Sequence, residues 1–253
     1  MSRKRRLKRF TSRFTFRGPA DEFGVEREFF FVDQRTGLIV PCPTHVMATL
    51  VRVSPKFTYE LSACQGESRH GPCKLIDLKR ELQETDRLLQ QTLEQFGLRA
   101  EYIPVAPVTI PLAVYQDPQR RYARIAADMS QDVLSAACRA AGTHVHRGMR
   151  DHESALEHHN RMCERFDELV ATGDTSQGER IALYGLVKPD WRPRRYASWS
   201  TFYDDAARNG FEKNPRNNWK GMRIARDTHE TRVFDSTNKV DLIVHWAELC
   251  RAA

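Results

Sequence analysis

The sequence lacks a long apolar run, and this absence excludes one class of protein. No stretch reaches the roughly 18 consecutive apolar residues that a membrane-spanning helix needs, so we expect no membrane span. The six cysteines form no C-x-x-C pair and no zinc-like cluster, which in a chain of 253 residues indicates ordinary thiols and a cytoplasmic protein. Apolar residues make up 40% of the chain and charged residues 29%, a composition typical of soluble globular proteins with a substantial core.

Two common phosphate-binding motifs are also missing. Neither the P-loop pattern G-x-x-x-x-G-K-[ST] nor the dinucleotide pattern G-x-G-x-x-G occurs. If the protein binds a nucleotide, residues outside these two motifs must therefore contact its phosphates.

Acidic residues are absent from the N-terminal segment. Residues 1–17 carry eight Lys or Arg and no Asp or Glu, so the net charge of +7 leaves the rest of the chain at −1. Such a segment could contact nucleic acid or an anionic membrane, but it is more often a disordered, solubilising arm. We therefore expect a basic, disordered tail over residues 1–17 and a single domain over residues 18–253.

The most informative segment is the run Phe23–Asp33, which is rich in aromatic and β-branched residues and predicts a β-strand. Side chains alternate between the two faces of a strand, so Glu26 and Glu28 share one face. Two neighbouring carboxylates repel each other, and a divalent cation is the simplest partner that would make the pair favourable. The alternative is an exposed polar face on an edge strand.

Two later stretches repeat this i, i+2 pattern. His144 and His146 place two imidazoles on one strand face, which suits either metal binding or ordinary packing. Glu230 and Arg232 share a predicted strand face with Phe234, and they offer a carboxylate for a metal and a guanidinium for phosphate. The alternative for this second pair is an exposed surface ion pair.

Another extended segment, residues 57–67, contributes Glu60 and Glu67. A straight strand would place these two residues on opposite faces because they are seven positions apart. Gly66 predicts a bulge or break that re-aims Glu67.

Much of the remaining chain predicts helices. Recurring leucines predict a helix over residues 74–96. Further helices are expected after Pro118 to about Ala141, from Asp151 as N-cap to Leu169, over residues 199–210, and over residues 241–252.

Four segments, in order, resemble the motifs of the glutamate–cysteine ligase family, type 2, the bacterial carboxylate–amine ligases. They are Gly24–Glu28, Glu60–Glu67 leading to Cys73, Gly142–Gly148 and Thr228–Asp235. The resemblance implies an α+β fold in which a curved, mostly antiparallel sheet forms a glutamine-synthetase-like half-barrel with helices packed on the outside. It also implies one catalytic domain over residues 18–253, which binds ATP and Mg²⁺ or Mn²⁺ and forms an amide through an acyl phosphate.

The resemblance also implies residue roles. The implied metal ligands are Glu26, Glu28, Glu60, Glu67, His144 and Glu230. The implied catalytic residues are Arg232 and Glu28, and the implied substrate or phosphate ligands are Arg223, Trp219 and His146. The default partners are a small-molecule carboxylate, glutamate, and an amine, cysteine or another amino acid; a homo-oligomer is compatible with the family.

The sequence departs from the family pattern at two positions. Arg147 stands where members mostly have a small apolar residue, and His70 where a threonine-like residue is usual. We expect both to add positive charge near the metal ligands.

Two other functions stay open at this point. One is a non-catalytic relative that binds a nucleotide or a peptide. The other is a nucleic-acid-binding protein that uses residues 1–17 and the basic stretch Arg192–Arg195. Nucleic acid is the weaker partner because the rest of the chain is neutral and shows no interleaved aromatic platform.

Overall fold

The computed structural model describes residues 2–16, 19–117 and 119–251. The strands within this part of the chain are β1 (Glu22–Asp33), β2 (Phe57–Tyr59), β3 (Gln65–Lys74), β4 (Leu98–Glu101), β5 (Gly142–Gly148), β6 (Met222–Ile224) and β7 (Thr228–Asp235). The helices are α1 (Arg3–Thr11), α2 (Thr44–Val53), α3 (Leu75–Glu94), α4 (Arg121–Ala127), α5 (Gln131–Arg139), α6 (His152–Glu164), α7 (Phe166–Gly173), α8 (Glu179–Val187), α9 (Trp199–Arg208) and α10 (Val240–Arg251), with one 3₁₀ turn at Pro215–Asn217.

The seven strands form one curved, unclosed sheet. Their order is β2-β3-β1-β5-β7-β6, with β4 paired to the far end of β1. Each pairing of these strands is antiparallel. The predicted α+β class with a curved, mostly antiparallel sheet is confirmed.

β1 lies at the centre of the sheet, and its side chains alternate as predicted. Val25 and Phe29 are buried on one face, which we call the helix face, where each packs in a separate apolar cluster with residues of α3. Glu26 and Glu28 lie on the opposite face, which we call the carboxylate face. Further along β1 this face is closed by Phe30, which is buried in a third apolar cluster.

Helices cover the helix face. The predicted helix over 74–96 is confirmed as α3, whose Leu82 and Leu89 are buried in the two clusters that hold β1. α10 stacks Trp246 on the ring of Phe234, with the ring centroids 4.8 Å apart. The predicted end of this last helix, Ala252, lies outside the described residues. Among the helices described, none combines the length and the apolarity that crossing a bilayer requires.

The pairing of β5 with β7 is irregular, and this corrects one prediction. The register shifts between Thr143 and Val145, so that His144 faces two residues of β7, Arg232 and Val233. As a result Phe234 points into the core of the helix face instead of sharing a face with Arg232.

Two predicted long helices are each divided into two. The helix expected up to Ala141 is α4 followed by α5, because Ser130 caps a new helix through its side chain; Pro118, its expected start, lies outside the described residues. The helix expected over 151–169 is α6 followed by α7. Asp151 is the N-cap of α6 as predicted, and it forms a reciprocal capping box with Ser154.

The prediction for Gly66 is wrong. Gly66 continues the regular register of β3 opposite Phe29, with no bulge. A Cβ at this position would lie 2.6 Å from the Phe29 ring, so glycine is needed for close packing. Glu60 and Glu67 instead approach each other because the chain between β2 and β3 leaves the sheet.

The N-terminal segment also differs from the expectation of a disordered tail. Residues 3–11 form α1, and Phe10 is only 2% exposed because it packs edge-on against Phe14 and Phe202. The predicted boundary between tail and domain, Arg17 and Gly18, lies outside the described residues. Aromatic burial therefore orders a segment that its charge alone marks as disordered.

Candidate active site

The carboxylate face gathers acidic and imidazole side chains from four neighbouring strands. The strand register pairs Glu26 of β1 with His144 of β5, and Glu28 of β1 with Glu67 of β3. It also pairs His146 of β5 with Glu230 of β7. Directly opposed residues in a sheet are close neighbours, so the register alone brings these remote segments together.

Glu26 is common to two groups of potential metal ligands. Its carboxylate forms one triad with Glu67 and His144 and another with His146 and Glu230, and within each triad the ligand atoms all lie within 4.8 Å of one another. The Glu26 Oε2 atom lies 3.5 Å from His144 Nδ1 and 3.5 Å from His146 Nε2. We call these groups the His144 triad and the His146 triad.

The buried carboxyls on the β3 side repel one another. Burial raises the pKa of Glu67 to about 7, and the negative charge of Glu26 adds to the rise. Burial, followed by the charge of Glu67, also raises the pKa of Glu60 well above its usual range. Glu60 therefore joins the cluster, and the carboxyls on this side favour the protonated form as long as no cation binds between them.

The carboxylates that lie nearer β7 are held in the charged form. Burial alone would raise the pKa of Glu230, but Arg223 and His146 outweigh it and lower the pKa to about 2. Burial would likewise raise the pKa of Glu26, yet His146 and His144 lower it below its usual range. In return, Glu230 and Glu26 raise the pKa of the buried His146 against the effect of its burial.

Glu28 is fixed by the backbone of the next strand. Its Oε2 atom accepts a hydrogen bond from the Gly142 N–H at 2.6 Å, and its Oε1 atom lies 3.6 Å from His144 Nε2. One oxygen is thereby anchored while the other faces the His144 triad.

Guanidinium groups line the other side of the cluster. Arg223 Nε donates to Glu230 Oε2 at 2.5 Å, and Arg223 Nη1 donates to the carbonyls of Arg216 and Asn218. Arg232 Nε lies 3.3 Å from Glu230 Oε1. Arg223 is thus largely engaged in holding Glu230 and the preceding loop.

Arg232 has unused hydrogen-bonding capacity. It is 8% exposed, and its Nε and Nη1 atoms find no hydrogen-bond partner among the described residues; nor does Glu230 Oε1. The Arg232 guanidinium carbon lies 5.3 Å from the centre of the Trp219 ring, and Trp219 is 38% exposed at the rim. Buried polar atoms without partners are costly, so this arrangement suits an additional charged group.

The donor set fits a hard divalent cation. Both triads offer carboxylate oxygens with one imidazole nitrogen, a combination that suits Mg²⁺ or Mn²⁺. The Glu230 Oε1 atom, which is ion-paired with Arg232 but accepts no hydrogen bond from the described residues, supports the fit because a cation would satisfy it. Glu26, Glu67, His144, His146 and Glu230 are the residues that would hold the ions.

Comparison with known proteins identifies the family of this chain. The family model described as glutamate–cysteine ligase family 2 (GCS2) matches residues 22–172, more than half of the chain. The chain belongs to this family. The predicted family is confirmed, and the chain is thereby a member of a ligase family.

Two relatives carry names of the same family. A protein of Rhodopirellula baltica provisionally named glutamate–cysteine ligase 2 is 29% identical over 90% of this chain and 67% of its own length. A relative from Mycobacterium sp. (strain KMS), provisionally named glutamate–cysteine ligase 2-2, is 27% identical over 70% of this chain and 47% of its own. This chain therefore spans between about half and two thirds of the length of these two relatives.

The fold is shared with two synthetases. A bifunctional glutathione synthetase from Pasteurella multocida has a TM-score of 0.59 at 13% identity, over 98% of this chain and 42% of its own. A glutamine synthetase from Plasmodium falciparum has a TM-score of 0.51 at 11% identity, over 99% of this chain and 55% of its own. The predicted glutamine-synthetase-like sheet of this GCS2 member is confirmed.

The two departures from the family pattern do not add charge to the metal ligands. His70 is 2% exposed on the helix face beside Ser68 Oγ at 3.1 Å, and burial lowers its pKa well below the usual range. Arg147 also lies on the helix face, with Nη1 2.9 Å from His158 Nδ1. The expectation for both residues is wrong because strand alternation turns them away from Glu26.

The basic stretch Arg192–Arg195 lies outside the site. Its arginines form ion pairs on the surface with Asp167, Glu164 and Asp205, at distances between 2.5 and 3.5 Å. The stretch is therefore neutralised by local acids.

Sequence reasoning missed two arginines of the site. Arg69 Nε lies 2.8 Å from Glu67 Oε1 and 3.7 Å from Glu26 Oε1. Its position two residues after Glu67 on the same strand was a usable signal. Arg180 contacts the β5–β7 pairing from α8, and no local sequence pattern marks it.

Proposed function

We propose that this GCS2 member is an ATP- and Mg²⁺-dependent carboxylate–amine ligase that forms a γ-glutamyl-type amide through an acyl phosphate. The observation that carries the proposal is the pair of triads that share Glu26, adjacent to a buried guanidinium, Arg232, with unused N–H groups. Membership of a ligase family supports it.

The proposed reaction has two steps. The substrate carboxylate attacks the γ-phosphorus of ATP, which releases ADP and leaves an acyl phosphate. The amine nitrogen then attacks the acyl carbon, so that the C–O bond to phosphate breaks and the nitrogen loses a proton. A divalent cation, held by the two triads, would neutralise part of the charge of the triphosphate.

Three side chains of this site have distinct proposed roles. Arg232 donates its free N–H groups to oxygens of the transferring phosphoryl group, a task for which the planar guanidinium is suited. Glu28 Oε1, which is not held by the backbone, accepts the proton that the amine loses. Trp219 shields one side of Arg232 and lines the entrance, where substrate binds.

Glutamate is the proposed acid, and cysteine or another amino acid is the proposed amine, by analogy with the family. Arg69 and Arg232 at the edges of the cluster favour an acid with more than one negative group. Because the chain spans only part of its relatives, the activity of their full length is proposed here, not inherited.

The test is release of ADP by the purified protein with Mg²⁺, ATP and each combination of a panel of acids and amines. We expect at least one combination to stimulate ADP release. Glu26→Gln, which removes the shared carboxylate at nearly constant volume, should abolish it. Glu84→Gln, at an exposed position on α3, is the matched control and should leave it unchanged.

Two outcomes would count against the proposal. Magnesium-dependent ATP binding with no ADP release for any combination would indicate a non-catalytic nucleotide-binding relative. Equal signals from wild type and Glu26→Gln would show that the shared carboxylate has no role.

A further inference from the structure

Arg180 is a buried cation that contacts two strands at once. Its side chain is 2% exposed, and its Nη2 atom donates a hydrogen bond to the backbone carbonyl of Arg232 at 3.1 Å. The guanidinium also lies directly over Gly142, where a Cβ would come within 2.0 Å of Nη2 and 2.7 Å of Cζ. Glycine at position 142 thus makes room for this side chain.

Both contacts lie next to groups with proposed catalytic roles. Arg232 is one of the two β7 residues that face His144 where the register of the β5–β7 pairing shifts. Its carbonyl therefore lies where the regular hydrogen bonding between the two strands is interrupted. Gly142 donates its N–H to Glu28 Oε2. A displacement of Arg180 would therefore shift the backbone of Arg232, and with it the Arg232 guanidinium. It would also shift Gly142, whose N–H holds the Glu28 carboxylate.

Packing alone does not account for a cation at this place. The Arg180 Nε and Nη1 atoms find no hydrogen-bond partner among the described residues, and Nη1 lies 4.0 Å from Asp235 Oδ1, beyond hydrogen-bond distance. The buried Asp235 carboxylate is the counter-ion of Arg180, but the two groups form no hydrogen bond, so the pair only partly offsets the cost of desolvating the guanidinium. The contact with the Arg232 carbonyl is the one hydrogen bond that the guanidinium makes with described residues.

We propose that Arg180 is a positioning residue, which holds Arg232 and Glu28 in the geometry that amide formation needs. This inference rests on the proposed ligase function. Arg180 lies on α8, outside the segment that the family model matches, and through Arg180 this helix would help to position the site residues.

The first test compares Arg180→Met with wild type under conditions of ADP release. Misplacement of reacting groups by about 1 Å costs up to about 100-fold in rate, so we expect kcat to fall about 10- to 100-fold while KM for ATP stays within about 2-fold. Arg180→Lys should recover part of the loss because an ammonium can still donate to the Arg232 carbonyl.

Two further variants separate positioning from general packing. Arg165→Met is the control, since Arg165 also donates to a backbone carbonyl, that of Leu249, and its other hydrogen bonds with described residues reach only Glu168. It should leave kcat unchanged. Gly142→Ala should lower kcat as Arg180→Met does, because the added methyl group displaces the guanidinium without removing its charge.

A double-variant cycle tests whether Arg180 acts through Arg232. Arg180→Met should cost much less in an Arg232→Lys background than in wild type, because the group that it positions is already replaced. An equal loss in both backgrounds would overturn the inference in favour of an independent packing effect.

One readout does not need activity. In ¹⁵N-arginine spectra, the Arg232 Nε–H signal, assigned by its absence in Arg232→Lys, should shift or broaden in Arg180→Met and Gly142→Ala and stay in place in Arg165→Met. An unchanged signal in Arg180→Met and Gly142→Ala would overturn the inference. If wild type releases no ADP, the proposed function fails, and this spectrum alone decides the role of Arg180.

Discussion

Arg232 is the residue on which the proposed chemistry most depends. It is nearly buried, faces Glu230, and keeps two nitrogen atoms without hydrogen-bond partners. A lysine ammonium cannot reproduce the two-pronged donation of a guanidinium. We therefore expect Arg232→Lys to lower kcat for ADP release by about 100-fold or more, as loss of a preorganised donor does elsewhere. Arg226→Lys, at an exposed arginine six residues earlier, is the control; near-normal turnover of Arg232→Lys would remove this role.

We expect Glu67 to make the proposed metal binding sensitive to pH. Burial and the charge of Glu26 raise its pKa to about 7, so the folded protein keeps a proton there at pH 6 and loses it by pH 8. A metal ligand must be deprotonated, so Mg²⁺ binding measured by calorimetry should strengthen as pH rises through 7. Glu67→Gln should bind Mg²⁺ more weakly and lose this dependence. The same slope in the variant would assign the dependence to another group.

At the residue scale, strand alternation predicted the faces of Glu26, Glu28, His144 and His146. Nothing in the sequence gave the register, which decides that His146 stands opposite Glu230 and joins a triad instead of binding phosphate alone. Register depends on cross-strand packing between distant segments, which local patterns do not encode.

At the scale of elements, recurring leucines predicted α3 and a capping aspartate predicted the start of α6, and both positions were right, whereas α2 and α8 were not predicted. The predictions failed where one polar residue restarts a helix, as Ser130 does for α5. They also failed for α1, because the prediction rested on the charge of residues 1–17 and did not consider the three phenylalanines in this segment. Their burial becomes visible only when α9 and Phe202 are placed beside them.

The docking of α1 is itself testable. Removing a buried aromatic ring leaves a cavity, so Phe10→Ala should lower the free energy of unfolding by about 3 kcal/mol in urea titrations. It should also speed proteolysis within residues 2–16. Lys4→Ala, at an exposed position of the same helix, should change stability by less than about 0.5 kcal/mol. Equal stability of Phe10→Ala and wild type would mean that α1 is not docked in solution.

At the scale of the whole molecule, the two triads connect β1, β3, β5 and β7, so a bound cation should stabilise the fold. Ligand at about 100 times its Kd adds about 2.7 kcal/mol, which for a chain of this size corresponds to a rise in Tm of about 5 °C or more. We expect this rise with Mg²⁺ at pH 8 in wild type and none in Glu26→Gln. An equal rise in both proteins would place the binding elsewhere.

The shared position of Glu26 has one more consequence. A carboxylate has two oxygens and can bridge two cations, so an ion bound in the His144 triad and an ion bound in the His146 triad would share Glu26 and repel each other across this one side chain. Loading is therefore expected to be stepwise, with the second ion binding far more weakly until a polyanion such as a nucleoside triphosphate arrives to bridge the two.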